Sequence, residues 1–150
     1  GFLNLPQAVV TGGLLVQDSK IFSPLIGKNR KVVPFDRGNI RIGFRHDVPS
    51  QNFNYGFNYR DGIDGNRPFY DIDNVIWVGS GMFSNLSLFA EKINVGRFTY
   101  RFEADNLLNQ DTCQERRRFN GYLRDGDVRE IERFCTTDGV RFTIKVRATF

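Results

Sequence analysis

The stretch that decides the fold is the last one, Phe142-Thr-Ile-Lys-Val-Arg-Ala-Thr-Phe150. Its even positions, Phe142, Ile144, Val146, Ala148 and Phe150, are apolar, and its odd positions, Thr143, Lys145, Arg147 and Thr149, are polar or charged. Successive side chains of a strand point to opposite faces, so this alternation predicts a β-strand with one apolar and one polar face. Its length matches the roughly 9–11 residues that a tilted barrel strand needs to cross a bilayer.

The same pattern recurs upstream and predicts six strands in all. The first covers about 7–21, with Val10, Leu14 and Val16 on one face; the second, about 37–48, alternates Ile40, Ile42, Phe44 and Val48 with Arg41, Gly43, Arg45 and Asp47. The third, about 52–60, carries Phe53, Tyr55, Phe57 and Tyr59 on one face, and the fourth ends near 93 after Leu86, Leu88 and Ala90, starting as early as Phe69. The fifth starts at Arg97 and alternates Phe98, Tyr100, Phe102 and Ala104 with Thr99, Arg101, Glu103 and Asp105; the last closes the chain. No stretch has convincing helical periodicity, so the expected class is all-β and antiparallel.

Composition narrows the setting. Mean hydropathy is −0.39, and no apolar run reaches the roughly 18 residues of a membrane-spanning helix. Alternating barrel strands have such soluble-looking averages, so the membrane stays open. The net charge of +4 comes from 21 basic and 17 acidic residues, interspersed, which argues against a nucleic-acid surface. The start has neither a basic segment leading into an apolar one nor an initiator Met, so a mature product or the tail of a longer polypeptide is expected.

Connections alternate in length. Pro49-Ser50-Gln51 and Asn94-Val95-Gly96 read as tight turns, whereas 22–36, 61–80 and 119–128 are longer and rich in Gly, Pro, Asp and Asn. Short turns on one side and long loops on the other are the asymmetry of outer-membrane barrels, whose short turns are periplasmic. A hairpin register centred on Arg124 pairs Phe98 with Phe150, Tyr100 with Ala148, Phe102 with Val146, Ala104 with Ile144 and Glu103 with Lys145. Farther along it pairs Cys113 with Cys135, Glu115 with Arg133, Arg116 with Glu132 and Arg118 with Glu130. Such like-face and opposite-charge pairs stabilise a ladder. Two pairs dissent: Arg101 meets Arg147, and Asn106 meets Phe142. Cys113 and Cys135 are expected to form a disulfide worth about 3 kcal/mol in the chain-entropy model, which implies an oxidising compartment.

Other chemistry is weak. His46 and Asp47 are strand neighbours pointing to opposite faces, so they make no catalytic dyad. Two cysteines and a lone His46 are too few ligands for a zinc site. Gly79-Ser80-Gly81 lacks a following helix and reads as a turn. The stretch Asp61, Asp64, Asn66, Asp71, Asp73 lacks the spacing of an EF-hand and reads as a solvated loop. No catalytic, cofactor-binding or metal-binding residue is expected, and the chain does not read as an enzyme. Arg41, Arg45, Arg60, Arg101, Arg141, Lys145 and Arg147 share the polar parity with Asp47, Glu103 and Asp105. They would be a solvent face in a soluble sandwich and would line a water-filled lumen in a barrel. No further strands are left over in this reading to cover the apolar band, which favours lipid.

The segments Leu88-Phe-Ala-Glu-Lys92, Arg101-Phe-Glu-Ala-Asp-Asn-Leu-Leu-Asn109 and Arg141 to Phe150 resemble the carboxy-terminal strands of TonB-dependent outer-membrane receptors. Leu14-Leu-Val-Gln-Asp-Ser19 and Pro24-Leu-Ile-Gly-Lys28 are similar to the strand and loop before them. The resemblance implies that residues 1–150 are the carboxy-terminal part of a 22-stranded barrel integral to the bacterial outer membrane. It implies import of a scarce nutrient, of siderophore, vitamin or oligosaccharide class, with TonB energy coupling and no cofactor. The implied partners are the remaining strands, a plug domain that contacts TonB, outer-membrane lipid and the barrel assembly machinery. That machinery would read Phe142, Ile144, Val146, Ala148 and Phe150 as an insertion signal. The chain departs from the family pattern in having no plug, TonB box or signal peptide, and in placing Ala148 where an aromatic is common. Six strands are also fewer than the roughly eight of the smallest closed barrels. A plug-less porin or an adhesion barrel segment is the alternative; a plug upstream or in a partner chain would separate the two.

Overall fold

A computed structural model describes residues 6–24, 26–31, 38–63, 67–78 and 84–149. The fold is all-β and antiparallel, with no α-helix among these residues. In chain order the strands are β1 (Ala8–Val16), β2 (Ile21–Ser23), β3 (Lys28–Arg30), β4 (Gly38–Val48), β5 (Phe53–Ile63) and β6 (Arg67–Tyr70). There follow β7 (Asn74–Val78), β8 (Asn85–Val95), β9 (Phe98–Asp105), β10 (Asp111–Phe119), β11 (Val128–Thr137) and β12 (Arg141–Ala148).

Six strands form one long meander in the order β1-β4-β5-β8-β9-β12, open at both edges among the described residues. These are the six strands that alternation predicts, with shifted ends: β1 stops at Val16 rather than 21, β5 runs on to Ile63, and β8 starts at Asn85 rather than near Phe69. Tight turns join them on one side. A 3-10 turn at Pro49–Gln51 ends on Asn52 with φ 48°, and Asn94 and Gly96 have φ 57° and 67°. Asparagine and glycine tolerate this left-handed backbone.

The segments read as loops contain structure of their own. The stretch after β1 folds into the β2–β3 hairpin. Residues 67–78 form β6 and β7, which join β10 and β11 in a second sheet ordered β11-β10-β7-β6. The expectation that no strands remain beyond the six is therefore corrected. Ile26, Val75, Phe119 and Leu123 are buried together beside this second sheet, with Tyr70 and Trp77 packed against them. Among the described residues, much of the apolar face of the long sheet remains exposed.

The predicted hairpin register is half right. β10 and β11 pair around Arg124, with Cys113 opposite Cys135 and Glu115 opposite Arg133. β9 and β12 are offset by two residues: Phe98 meets Ala148, Tyr100 meets Val146, Phe102 meets Ile144 and Ala104 meets Phe142. The cause is the joint between the sheets. The outgoing arm spends 106–110 on it and the returning arm only 138–140. Asn106 and Asn109 take up the excess in left-handed backbone, φ 56° and 45°, with Asn109 N donating to Asn106 O at 3.0 Å. Asn106 Nδ2 donates to Gly139 O at 2.8 Å, and Leu107 N to Leu86 O at 3.0 Å. The offset moves Phe142 opposite Ala104 and Arg147 opposite Thr99, and places Lys145 opposite Arg101.

Candidate functional site

Register places the alternating residues in rows across the long sheet. Val10, Phe44, Phe57, Leu88, Ala104 and Phe142 form one unbroken row over all six strands. Ala8, His46, Tyr55, Ala90, Phe102 and Ile144 form the next. Aromatic rings knit the band: Phe44 stacks on Phe57 and Phe102 on Phe142, each with centroids 5.9 Å apart. The band stays open. Phe142 is 68%, Ile144 73% and Val146 57% exposed. Ala148 lies on the same face, and Phe150 lies outside the described residues. A contiguous apolar area this wide needs a covering phase or layer.

The opposite face carries the charges. Arg41, Arg45, Arg60, Arg101, Glu103, Arg141, Lys145 and Arg147 all lie on it by register. Four charged side chains form a chain across β8, β9 and β12: Arg101 reaches Glu91 at 3.0 Å and Glu103 at 2.6 Å, and Lys145 reaches Glu103 at 2.5 Å. This chain explains how Lys145 sits opposite Arg101. Arg101 also lies 4.5 Å over the Phe89 ring. That ring covers Gly56, where a Cβ would fall 2.1 Å from Phe44 O and 2.8 Å from the ring. Phe89 and Glu91 fall in the segment Leu88–Lys92 quoted for the family resemblance, and only their odd parity in β8 marks them as members of the charged face. Val9 and Leu15, on edge strand β1, are exposed apolar exceptions on this face.

The second sheet holds the disulfide. Cys113 and Cys135 are bonded, with Cα atoms 4.1 Å apart. Beside it Glu115 accepts from Arg117 Nε at 2.7 Å and Arg133 Nε at 2.6 Å. The hydrogen bonds from Arg117, then Arg133, hold the Glu115 carboxyl below its ordinary value. Arg118 pairs with Glu130 at 3.0 Å and Glu132 at 3.2 Å. Arg117 lies 4.8 Å over the Trp77 ring, and the two, with Glu115, Arg133 and the disulfide, line an open groove of about 540 Å³. The sequence pattern hides this groove because it gives Trp77 to the 61–80 loop or to the start of the fourth strand, not to a strand of a second sheet.

Residues considered for chemistry have structural partners. His46 Nδ1 lies 3.0 Å from Tyr55 Oη, and Nε2 lies 3.2 Å from Pro6 O. Since the carbonyl can only accept, Nε2 is the donor in that contact. Asp47 accepts from Arg45 at 2.8 Å. Asp61 accepts from Tyr59 Oη at 2.9 Å and from Ser84 Oγ. Asp71 Oδ1 accepts from Ile72 N at 2.8 Å, closing a local turn. Asp64, Asn66 and Gly79-Ser80-Gly81 lie outside the described residues. Among the described residues no three His, Cys, Asp or Glu side chains converge as a metal site would require.

Compared with protein-family models, with curated proteins and with solved structures, the chain finds no match. The geometry therefore carries the functional reading.

Proposed function

We propose that the chain is the carboxy-terminal six-stranded portion of a larger outer-membrane β-barrel, of the TonB-dependent receptor type that its last strands resemble. The observation that carries this is the open apolar band running across all six strands of a sheet whose edges are unpaired among the described residues. Strands β4, β5 and β8 have 11 residues each, matching the roughly 9–11 of a tilted spanning strand. Lipid covers the band, and the charged face lines a water-filled lumen. Unpaired ladder groups are costly in hydrocarbon, so β1 and β12 pair with strands supplied by the rest of the barrel. The joint at Asn106–Asn109 lifts the disulfide-bonded sheet out of the bilayer on the extracellular side, opposite the tight turns. The whole protein imports a scarce nutrient by TonB-coupled transport through a plug domain.

The test uses the intact protein containing this chain. Outer-membrane fractionation, heat-modifiability on gels and nutrient uptake with and without TonB are measured. Membrane insertion with TonB-dependent uptake is expected. Insertion with TonB-independent permeability gives the plug-less porin instead. A cooperative monomer formed by residues 1–150 without detergent overturns the barrel.

A further inference from the structure

Arg41 on β4 and Arg60 on β5 stand directly opposite each other on the polar face. Like charges in opposed positions destabilise a sheet. On this face Arg45 is neutralised by Asp47, Arg101 by Glu91 and Glu103, and Lys145 by Glu103, while Arg141 stands opposite Asp105 and Arg147 opposite the neutral Thr99. Arg41 and Arg60 have no carboxylate partner among the described residues; Arg41 Nε donates only to the neutral Asn39 Oδ1, at 3.0 Å. Asp61, the next residue, belongs to the opposite face and is engaged by Tyr59 and Ser84.

The surroundings leave room. Gly13 and Asn85 flank the pair in its own row, and Gly43, Asn58 and Gly62 stand in the adjacent rows. Both arginines are exposed. Asn85 Oδ1 is taken by Asn106 N at 3.1 Å, which leaves its amino group as a donor.

We propose that Arg41 and Arg60 together form an oxyanion-binding site on the polar face, for the carboxylate, phosphate or sulfate group of a solute. A guanidinium offers a planar fork matched to such oxygens. Opposed strand residues set the two forks with Cβ atoms about 4.5–5.5 Å apart, so both reach one anion. A bound anion converts the repulsion into two charge-assisted contacts. The site requires a polar face open to water, as in the barrel reading, but does not depend on energy coupling. The same chemistry could be satisfied by a carboxylate from another part of the polypeptide, and the two sources differ in their effect on stability.

The intact protein in detergent is titrated calorimetrically with inorganic phosphate at low ionic strength, and its thermal unfolding is followed in phosphate-free buffer. Heat-modifiability checks that each variant has folded. Arg41→Gln and Arg60→Gln are each expected to weaken phosphate binding at least tenfold, and the double variant to abolish it. Added salt weakens it too, and Arg129→Gln on the second sheet leaves it unchanged. Removing either arginine leaves thermal stability equal or higher, because a repulsion is relieved. Absence of phosphate binding with lower stability in both variants assigns the oxyanion to the polypeptide instead. The site is overturned if the double variant binds phosphate like wild type. It is equally overturned if wild type binds none and the variants lose no stability. Phosphate binding by a protein that never reaches the outer membrane would leave the site standing and end the barrel reading.

Discussion

Ile144→Arg separates a lipid face from a water face. Ile144 is the fourth residue of β12, in the row that runs through Phe102 and Tyr55. It is 73% exposed. Lipid would thus cover about three-quarters of a side chain whose full burial is worth about 1.5–3 kcal/mol, or about 1–2 kcal/mol here. Arginine on the lipid face near the midplane adds about 2–4 kcal/mol. The sum of about 3–6 kcal/mol lowers the folded-to-unfolded ratio by about 10²- to 10⁴-fold at 1.4 kcal/mol per tenfold. Thr143→Arg is the control, since Thr143 lies on the charged face opposite Glu103. A surface change of that kind stays within about 0.5 kcal/mol. The assay is urea-induced unfolding of the intact protein in lipid vesicles, read as the transition midpoint. If Ile144→Arg moves the midpoint no more than Thr143→Arg does, the apolar band faces water and the barrel assignment fails.

Cys113→Ser opens a 22-residue separation and is expected to lower the stability of the second sheet by about 3 kcal/mol; hydrogen exchange should speed up in β10 and β11 while heat-modifiability persists, and loss of the barrel itself would contradict their separation. Glu115 has its carboxyl held low by Arg117 and Arg133, so its stabilising effect is full above the unfolded-state value and lost as pH falls through the lower folded-state value. The rate of disulfide reduction by a phosphine, divided by that of Glu115→Gln to cancel protonation of the reagent, should therefore rise as pH drops below the ordinary carboxylate range; a constant ratio would refute the coupling. Gly56→Ala puts a Cβ 2.1 Å from Phe44 O, whereas Gly12→Ala meets nothing within 4 Å. The first should cost at least about 1–3 kcal/mol of overpacking and the second far less, compared by urea midpoints in vesicles; equal midpoints would show that the sheet does not coil tightly there.

The faces of the long sheet were legible in the sequence because period two is a local signal. Each strand from β4 to β12 in that sheet alternates strictly enough for composition to reveal which residues share a side. The strands of the second sheet were harder to read. β6 and β7 have 4 and 5 residues and lie among Gly, Pro, Asp and Asn, whose turn signals dominate a local reading. They become strands by pairing with each other and, for β7, with β10, whose Gln114-Glu-Arg-Arg-Arg118 has no apolar alternation. That pairing is a long-range event. The ionic pairs of β10 with β11 were still legible, because opposite charges mark a register that apolarity does not.

The misplaced register between β9 and β12 has a more specific cause. Side-chain faces repeat every two residues, so shifting a ladder by two leaves every apolar residue on its original side. Hydrophobic pattern alone cannot distinguish the two alignments. Only the polar–apolar mismatch of Asn106 with Phe142 carried the information, since the observed alignment again sets Arg101 opposite a cation, Lys145. The joint must absorb an even number of residues. An odd excess would turn Phe142, Ile144 and Val146 onto the face that holds Glu103 and Arg101. Asn106 and Asn109 meet this need because asparagine enters left-handed backbone more readily than most residues. Asn106 also ties the two arms together through Gly139. The segment Asp105-Asn-Leu-Leu-Asn109 thus sets the phase between a sheet with an open apolar face and a sheet stapled by Cys113 and Cys135.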